Sequence, residues 1–560
     1  MSSEMQYSNQ MVLPGVDVDA VPRAAAGDGL TTVQNLAAAA WDLARHGALA
    51  ELSESESLLL GGIGPLDTRF RTDELVEQVR EGADPLGEAF TRIRPAQQRR
   101  LLGATYTPCE IVSSMVAWVG ERAEPLRIVD PGTGSARFLL AAGRAFPQAS
   151  LVGVEIDPLA ALVARANLTA AGFDNRSRVV VGDYRTAALG DCGGTTAYLG
   201  NPPYVRHHQI EPAGKKWLAE SAVQLGLRAN GLAGLHAHFL VATALHARPG
   251  DIGSFVTSAE WLDVNYGSLL RELVATQLGG VSVHIVDPQA SPFGDAATTA
   301  AVTCFEVGTE VTDVRMKRVP DATALGTLTD GRRLPRQRLR AASRWTPLLN
   351  KAPEPPVGYV ELGELCRVHR GAVTGANRTW ITDASNPALP QSALFPAITR
   401  ARELIDAPDG ELSTALGLLA VIDLPSGLDV FDTADRARID RFLRSARREG
   451  VHTGYVARHR SPWWSVRLRE PAPILATYMA RRPPTFVRNT AAVRHINVAH
   501  GIYPREPLTA ATLDALAAAL RAAAPTAVGR TYAGGLIKFE PSEMARIYVP
   551  APEMLEAMAA

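Results

Sequence analysis

The chain reads as an α/β protein built on a mostly parallel sheet covered by helices on both faces. Three observations lead there. Between residues 100 and 310, short apolar runs alternate with helix-length stretches. A glycine-rich turn, Asp130-Pro131-Gly132-Thr133-Gly134-Ser135, follows the first run and precedes a helix. Each of the first four runs ends on an acid or an amide, namely Asp130, Glu155, Asp183 and Asn201. Ligands of such sheets bind beyond the carboxyl ends of the strands, so these four residues are expected on one rim.

The elements follow in order. Residues 1–30 are rich in Gly, Ala and polar residues without a clear period, and are expected to form a loose arm. Helical spacing dominates from 31 to 100, as in Leu36, Ala39, Ala40, Leu43 and Leu75, Val76, Val79. This predicts a helical N-terminal extension, of no legible function. Strands are expected at 127–129, 151–154, 179–181, 197–199, 253–256, 281–286 and 300–307, with helices at 111–119, 136–145 and 159–171. Residues 311–350, carrying Arg332, Arg333, Arg336, Arg338, Arg340 and Arg344, are expected to be a polar connector. A second domain of short mixed strands, many prolines and an aromatic-basic segment at 458–464 should fill 351–560. The expected organisation is therefore 1–100 extension, 101–310 α/β domain, 311–350 connector and 351–560 second domain.

At 560 residues the chain can bury two or more cores. It has no apolar run of membrane-spanning length and no basic-then-apolar leader pattern, which argues against a membrane partner. Cys109, Cys192, Cys304 and Cys366 lie far apart without CxxC spacing. No disulfide framework or zinc site is expected, and a reducing cytoplasm fits. The histidines His207, His208, His236, His238 and His246 lack the spacing and carboxylate partners of a metal site, so none is expected. Net charge is −1, yet residues 331–500 hold 26 Lys plus Arg against 15 Asp plus Glu, a balance of +11. Nearly all of that positive charge is arginine, the side chain suited to bidentate phosphate and guanine contacts.

The strand–turn–helix at 130–138 is a nucleotide-binding turn, whose glycines admit close backbone approach. By itself it serves NAD, ATP or S-adenosylmethionine alike. No GxxxxGK[ST] lysine is present, which excludes a P-loop. Glu155 is placed to accept ribose hydroxyls, and Asp183 to accept from an adenine amino group. The fourth rim element, Asn201-Pro202-Pro203-Tyr204, offers two carbonyl acceptors on a rigid turn followed by a flat ring. NAD enzymes give no reason for that turn, so S-adenosylmethionine is the better ligand.

In these residues the chain resembles the gamma-class, TaqI-type S-adenosylmethionine-dependent adenine DNA methyltransferases of restriction–modification and defence systems, over roughly 100–550. The resemblance implies a class I, Rossmann-like methyltransferase domain and a C-terminal α+β target-recognition domain. Residues 103–108, ending in Thr107-Pro108, are similar to the motif that covers the methionine end of the cofactor. Asp130–Phe138 resembles Asp-Pro-x-x-Gly-x-Gly-x-Phe with Ala136 in place of the last glycine, which is tolerable if Ala136 starts the helix. Glu155-Ile156, Asp183-Tyr184 and Asn201–Tyr204 follow in the family's order. Segments 255–262, 291–296, 370–377 and 534–538 also resemble family segments. The implied cofactor residues are Thr107, Pro108, Asp130, Pro131, Gly132, Gly134, Glu155, Ile156, Asp183, Tyr184 and Asn201.

The chemistry requires alignment of an exocyclic amino nitrogen with the donor methyl group. Asn201 and the Pro202 carbonyl would accept its two hydrogens, with Pro203 rigidifying the turn. Tyr204 would stack on the base, and the resemblance gives Phe293 as the other face. The base must leave the duplex to reach such a slot. Double-stranded DNA is the implied substrate, with a cognate restriction endonuclease or other defence subunits as the implied partners. Candidate DNA contacts are Asn377, Arg378, Arg458, Arg460, Trp463, Trp464, Arg481, Arg482, Arg488 and Arg494. Two other readings share these motifs. One is methylation of an RNA base or a protein glutamine amide; the other is a DNA-binding defence subunit that does not methylate.

Overall fold

The computed structural model describes residues 30–62, 72–94, 107–287, 299–310, 312–349, 356–480, 482–524, 529–532 and 536–560. The chain divides into two compact units, Met1–Lys351 and Ala352–Ala560. The expected arm lies outside the described residues except for Leu30, and so do Phe293 and Arg481.

The first unit is organised by a nine-stranded sheet. Its strands are β1 Arg127–Pro131, β2 Ser150–Glu155, β3 Ser177–Val181, β4 Thr196–Gly200, β5 Ile252–Ser258, β6 Gly280–Val286, β7 Ala300–Glu306, β8 Asp313–Val319 and β9 Arg332–Pro335. Their spatial order is β3-β2-β1-β4-β5-β7-β6-β8-β9. The first five run parallel, whereas β7 lies antiparallel between β5 and β6. Each of the first four strands is only five or six residues long, so all four stop at one rim. Chain direction reverses its neighbours at β1, which pairs β2 on one side and β4 on the other. That is a topological switch point, where a crevice opens.

Side chains alternate across the sheet. Tyr198 enters the core on one face, while Ala197 and Leu199 enter the core on the other. Both faces are therefore buried, which explains why these strands read as continuous apolar runs.

Among the described residues the N-terminal layer holds α1 Val33–Ala44, α2 Glu54–Gly61, α3 Thr72–Glu81 and α4 Pro85–Ile93. They are followed by α5 Cys109–Arg122, α6 Arg137–Ala145 and α7 Pro158–Ala170. Leu36, Ala40, Leu86 and Ile93 of the N-terminal layer share one core with Leu159, Leu162, Val163 and Ala166 of α7. A buried ion pair pins the same contact, with Arg165 Nε 2.7 Å from Glu56 Oε1. The extension is thus packed onto the sheet's covering helix.

Residues 311–350 depart from the expected connector. They supply β8 and β9, the last strands of the sheet, and the helix Arg336–Ala341. Val314 and Met316 point into one core between charged neighbours, an alternation that charge content disguises, while Val319 enters the core on the other face. Arg332 and Arg333 are exposed on the outermost strand, where unpaired edges are often guarded by charge.

The second unit contains a five-stranded sheet ordered Cys366–Arg370, Ala499–Pro504, Ile474–Thr477, Phe486–Asn489, Glu411–Leu412. A four-stranded sheet is ordered Ile381–Asp383, Leu419–Ile422, Leu394–Ile398, Arg494–His495. Among the described residues no helix is long and apolar enough to cross a membrane.

Candidate active site

The turn after β1 folds back on itself because Gly132 and Gly134 adopt φ of 75° and 53°. The backbone N–H groups of Gly132 and Thr133 donate to the Val154 carbonyl at 2.8 and 3.0 Å, locking the turn to β2. Asp130 is fully buried beneath it, and its Oδ2 accepts from Thr133 Oγ1 at 2.9 Å. Burial pushes the Asp130 carboxyl up to about 8, helped by the nearby charge of Glu155. A Cβ at Gly200 would stand 2.7 Å from Asp130 Oδ1, so the end of β4 rests directly on this carboxylate. Ala136 is the N-cap of α6 with φ 69°, the left-handed conformation that glycine adopts without strain. Its methyl is wholly buried.

Glu155 knits the two first turns together. Its Oε2 accepts from the Gly134 N–H at 2.8 Å, and its Oε1 from those of Ile156 and Asp157 at 2.9 and 3.0 Å. Burial raises its carboxyl to about 7. Asp183 has a different partner. Its carboxylate accepts from the backbone N–H of Arg185 at 2.9 Å and from the Arg185 guanidinium, Nε lying 2.9 Å from Oδ2. The Arg185 guanidinium also lies over Trp217, 5.8 Å from the ring centroid. Tyr184 turns into the core, where its hydroxyl meets Thr243 Oγ1 at 2.9 Å and its ring packs on Phe239.

Asn201 begins the segment after β4, and its Nδ2 donates to Thr107 Oγ1 at 3.0 Å. With the amide so placed, its Oδ1 is the acceptor end. The residues meet around a cavity of about 180 Å³. Of the expected residues, Thr107, Gly132, Gly134, Glu155, Ile156, Asp183, Tyr184, Asn201 and Pro203 line it. Pro108, Asp130, Pro131, Pro202 and Tyr204 do not, and Asp130 acts beneath the wall as a support.

The wall also includes residues that sequence reasoning missed. Leu235 and Phe239 come from the helix Leu235–His246, one turn apart, and Phe90 comes from α4. Apolar residues at helical spacing carry no sign of a ligand, and Phe90 lies in a segment whose role was not legible. The lining acids are Glu155, Asp157 and Asp183, and the lining cations Arg137 and Arg185 are already paired with Asp84 and Asp183. No lysine lines the cavity among the described residues. A pyrophosphate would find only engaged cations there. A nucleoside with a cationic tail suits these donors, so the residues fit S-adenosylmethionine.

In the second unit, several expected DNA-contact residues are engaged internally. Arg460 donates to the Val373 and Thr374 carbonyls, bracing the 371–377 loop, where Thr374 Oγ1 bonds Asn377 Oδ1. Arg488 reaches Asp514 and the Pro473 carbonyl, each within 2.9 Å. Arg494 reaches the Leu468 and Arg469 carbonyls and Glu470. Trp463 packs edge-on against Trp380 and Trp464, and Trp464 Nε1 donates to the Pro425 carbonyl at 3.2 Å. Asn377, Arg378 and Arg458 are exposed. The helix Thr433–Arg448 presents Arg441, Arg444 and Arg448 to solvent at i, i+3 and i+7, opposite Ile439 and Ala446. Those three were missed, although helical spacing of arginines was there to be read.

Comparison with known proteins agrees with this geometry. Residues 86–224 match the family model of the N-6 DNA methylases, and residues 420–560 match that of the C-terminal domain of the type II methyltransferase M.Eco57I. The chain is 50% identical to the type II methyltransferase M.XamI of Xanthomonas campestris pv. amaranthicola, over 85% of this chain and 88% of that protein. It is 20% identical to the type II methyltransferase M.AccI of Acinetobacter calcoaceticus, over 80% and 85% of the respective chains. The fold is shared with the type IIL restriction–modification enzyme MmeI, solved with DNA, at TM-score 0.51 and 14% identity over 86% of this chain and 75% of that one. A class I methyltransferase sheet, a rim of the expected residues and a half-identical relative along most of the length together place this chain in the type II methyltransferases of the N-6 DNA methylase family.

Proposed function

We propose that this protein methylates the exocyclic amino group of adenine at a specific site in duplex DNA, as the modifying enzyme of a restriction–modification system. The observation that carries the reading is the Asn201 amide, oriented by Thr107, on the wall of the cavity built from Gly132, Gly134, Glu155 and Asp183. S-adenosylmethionine supplies a methyl group already activated by its sulfonium. The protein's task is placement.

Glu155 would hold the ribose hydroxyls and Asp183 the adenine amino group of the cofactor. The latter requires Arg185 to share or yield the carboxylate. Asn201 Oδ1 and the Pro202 carbonyl would accept the two hydrogens of the target amino group, favouring a localised lone pair. No base is needed before transfer, since the proton can leave afterwards. Rotating the adenine out of the duplex costs a few kcal/mol, and stacking on Tyr204 and Phe293 at about 1–3 kcal/mol per base offsets most of it. The second unit would recognise the DNA sequence, with Asn377 and Arg378 as base-edge candidates and Arg441, Arg444, Arg448 and Arg458 on phosphates. A cognate endonuclease is the partner such a system uses.

The test offers tritiated S-adenosylmethionine with duplex DNA, RNA and protein side by side. Label should enter DNA as N6-methyladenine, and label in RNA or protein alone would overturn the reading. Asn201→Ala should cut transfer at least about 10²–10³-fold while cofactor affinity stays within about twofold.

A further inference from the structure

We propose that the N-terminal helical layer is part of the cofactor site, with Phe90 closing the cavity over the adenosine end of S-adenosylmethionine and Asp84 fastening that closure to the glycine-rich turn. The proposal rests on the cavity being the S-adenosylmethionine site.

Phe90 lies on α4 and lines the same cavity as Ile156, Asp157, Gly182 and Asp183. Its ring is backed by Arg94, whose guanidinium lies 5.2 Å from the ring centroid. Arg94 in turn pairs with Asp157, the N-cap of α7 and the second residue after Glu155. The aromatic ring is therefore tied to the loop that follows the ribose-binding acid. The partly exposed Phe90 and the exposed Ile156 are two of the apolar side chains that line the cavity. A purine between them would replace water on both faces, as stacking on an aromatic ring does elsewhere.

Asp84 holds α4 to the turn. It is the N-cap of α4 and is buried, with Oδ1 accepting from the Gly87 N–H and from Asn167 Nδ2, both at 2.9 Å. Its Oδ2 accepts from Ser135 Oγ at 2.6 Å and from Arg137 Nη2 at 3.4 Å. Asn167 Nδ2 also donates to the Ser135 carbonyl at 2.9 Å. One carboxylate thus joins the start of α4, the glycine-rich turn and α7. Four polar partners at one buried acid are more than an N-cap needs, and two of them, Ser135 and Arg137, line the cavity. Whatever occupies the cavity must therefore also steady the N-terminal layer.

The full-length protein tests this by equilibrium binding of S-adenosylmethionine and of adenosine. Phe90→Ala should weaken both by the same factor, about tenfold, because the contact is with the part they share. Phe90→Tyr and Phe90→Trp should stay within about twofold of wild type. Hydrogen exchange should show residues 85–93 protected by S-adenosylmethionine in wild type but not in Phe90→Ala. Cofactor-free binding of duplex DNA should be unchanged, which separates a lost wall from a lost fold. If Asp183→Ala weakens S-adenosylmethionine while Phe90→Ala does not, this inference fails and the reading of the cavity survives. If the wild-type protein binds no S-adenosylmethionine, both fall. A Phe90→Ala loss seen with S-adenosylmethionine but absent with adenosine would also overturn it, because the ring would then not face the nucleoside.

Discussion

The two units share one use of arginine, and the second adds a solvent-facing stripe. In the first, Arg127 donates to the Gly190 carbonyl and Thr196, Arg165 to Glu56 and the Val179 carbonyl, and Arg176 to the Gly143, Phe146 and Ala149 carbonyls. Each satisfies main-chain carbonyls inside the fold, those bound by Arg176 lying at and just beyond the end of α6. In the second unit, Arg460, Arg488 and Arg494 do the same, but Arg441, Arg444 and Arg448 stand exposed with no ion-pair partner among the described residues. Positive charge marks a ligand surface only where the fold has left it unsatisfied. Counting residues over a segment cannot make that distinction.

The largest effect is expected from a tether. Arg165→Met leaves Glu56 buried and unpaired, which should cost about 3–5 kcal/mol of stability in chemical denaturation. Adding Glu56→Leu should return much of it, and a single-variant loss below about 1 kcal/mol would show that the tether is dispensable. The converse change removes the exposed stripe. Replacing Arg441, Arg444 and Arg448 together by Gln should leave stability nearly unchanged yet make the log–log salt dependence of DNA binding shallower by about 2.7. An unaltered slope would take these residues off the phosphate backbone.

Titration distinguishes buried acids from buried histidines. Asp130 and Glu155 are raised from 3.8 to about 8 and from 4.5 to about 7, so the stability they lend is complete below 3.8 and 4.5 and is lost as pH rises toward the raised values. His495, buried in the second unit, is lowered by burial from 6.5 to about 4, as are His236 and His238 of the first unit. Its contribution is present above 6.5 and lost as pH falls toward 4. Asp130→Asn should remove part of the fall in stability as pH rises from 3.8 toward 8, and His495→Leu part of the fall as pH drops from 6.5 toward 4. A change of the opposite sign in either variant would contradict the burial of these groups. The smallest effect concerns two alanines in the left-handed region, Ala136 at φ 69° and Ala492 at φ 51°. Ala492→Gly should stabilise by about 0.5–1 kcal/mol, because that residue is exposed and its methyl packs little. Ala136→Gly should gain less, since it removes a buried methyl worth about 0.8 kcal/mol.

The first unit was legible because strand ends carry both period and chemistry. Six of the apolar runs fall within β1–β6 and the seventh overruns β7 by one residue, and Glu155, Asp183 and Asn201 do meet at one cavity. What failed there failed for a physical reason. The charge of 311–350 hid the alternation of Val314 and Met316, and Phe90 and Phe239 look like any residue of a helical core. The presence of Arg185 on Asp183 depends on a two-residue side-chain contact that no motif records. In the second unit, residue type named Arg460, Arg488, Trp463 and Trp464, but contacts that only folding reveals decide whether such side chains face a ligand or a neighbouring carbonyl.

The absent side chain at Gly200 has a consequence for altering this enzyme. It lets the strand that carries the amide lie flush against the strand that carries the first turn, with the Asp130 carboxylate as the spacer. Any bulk added there would wedge the donor and acceptor ledges apart, and misplacement by about 1 Å can slow a reaction about 10²-fold. Grafting the Asn-Pro-Pro-Tyr segment into a relative, or exchanging it for another, should therefore succeed only when both adjoining strands travel together.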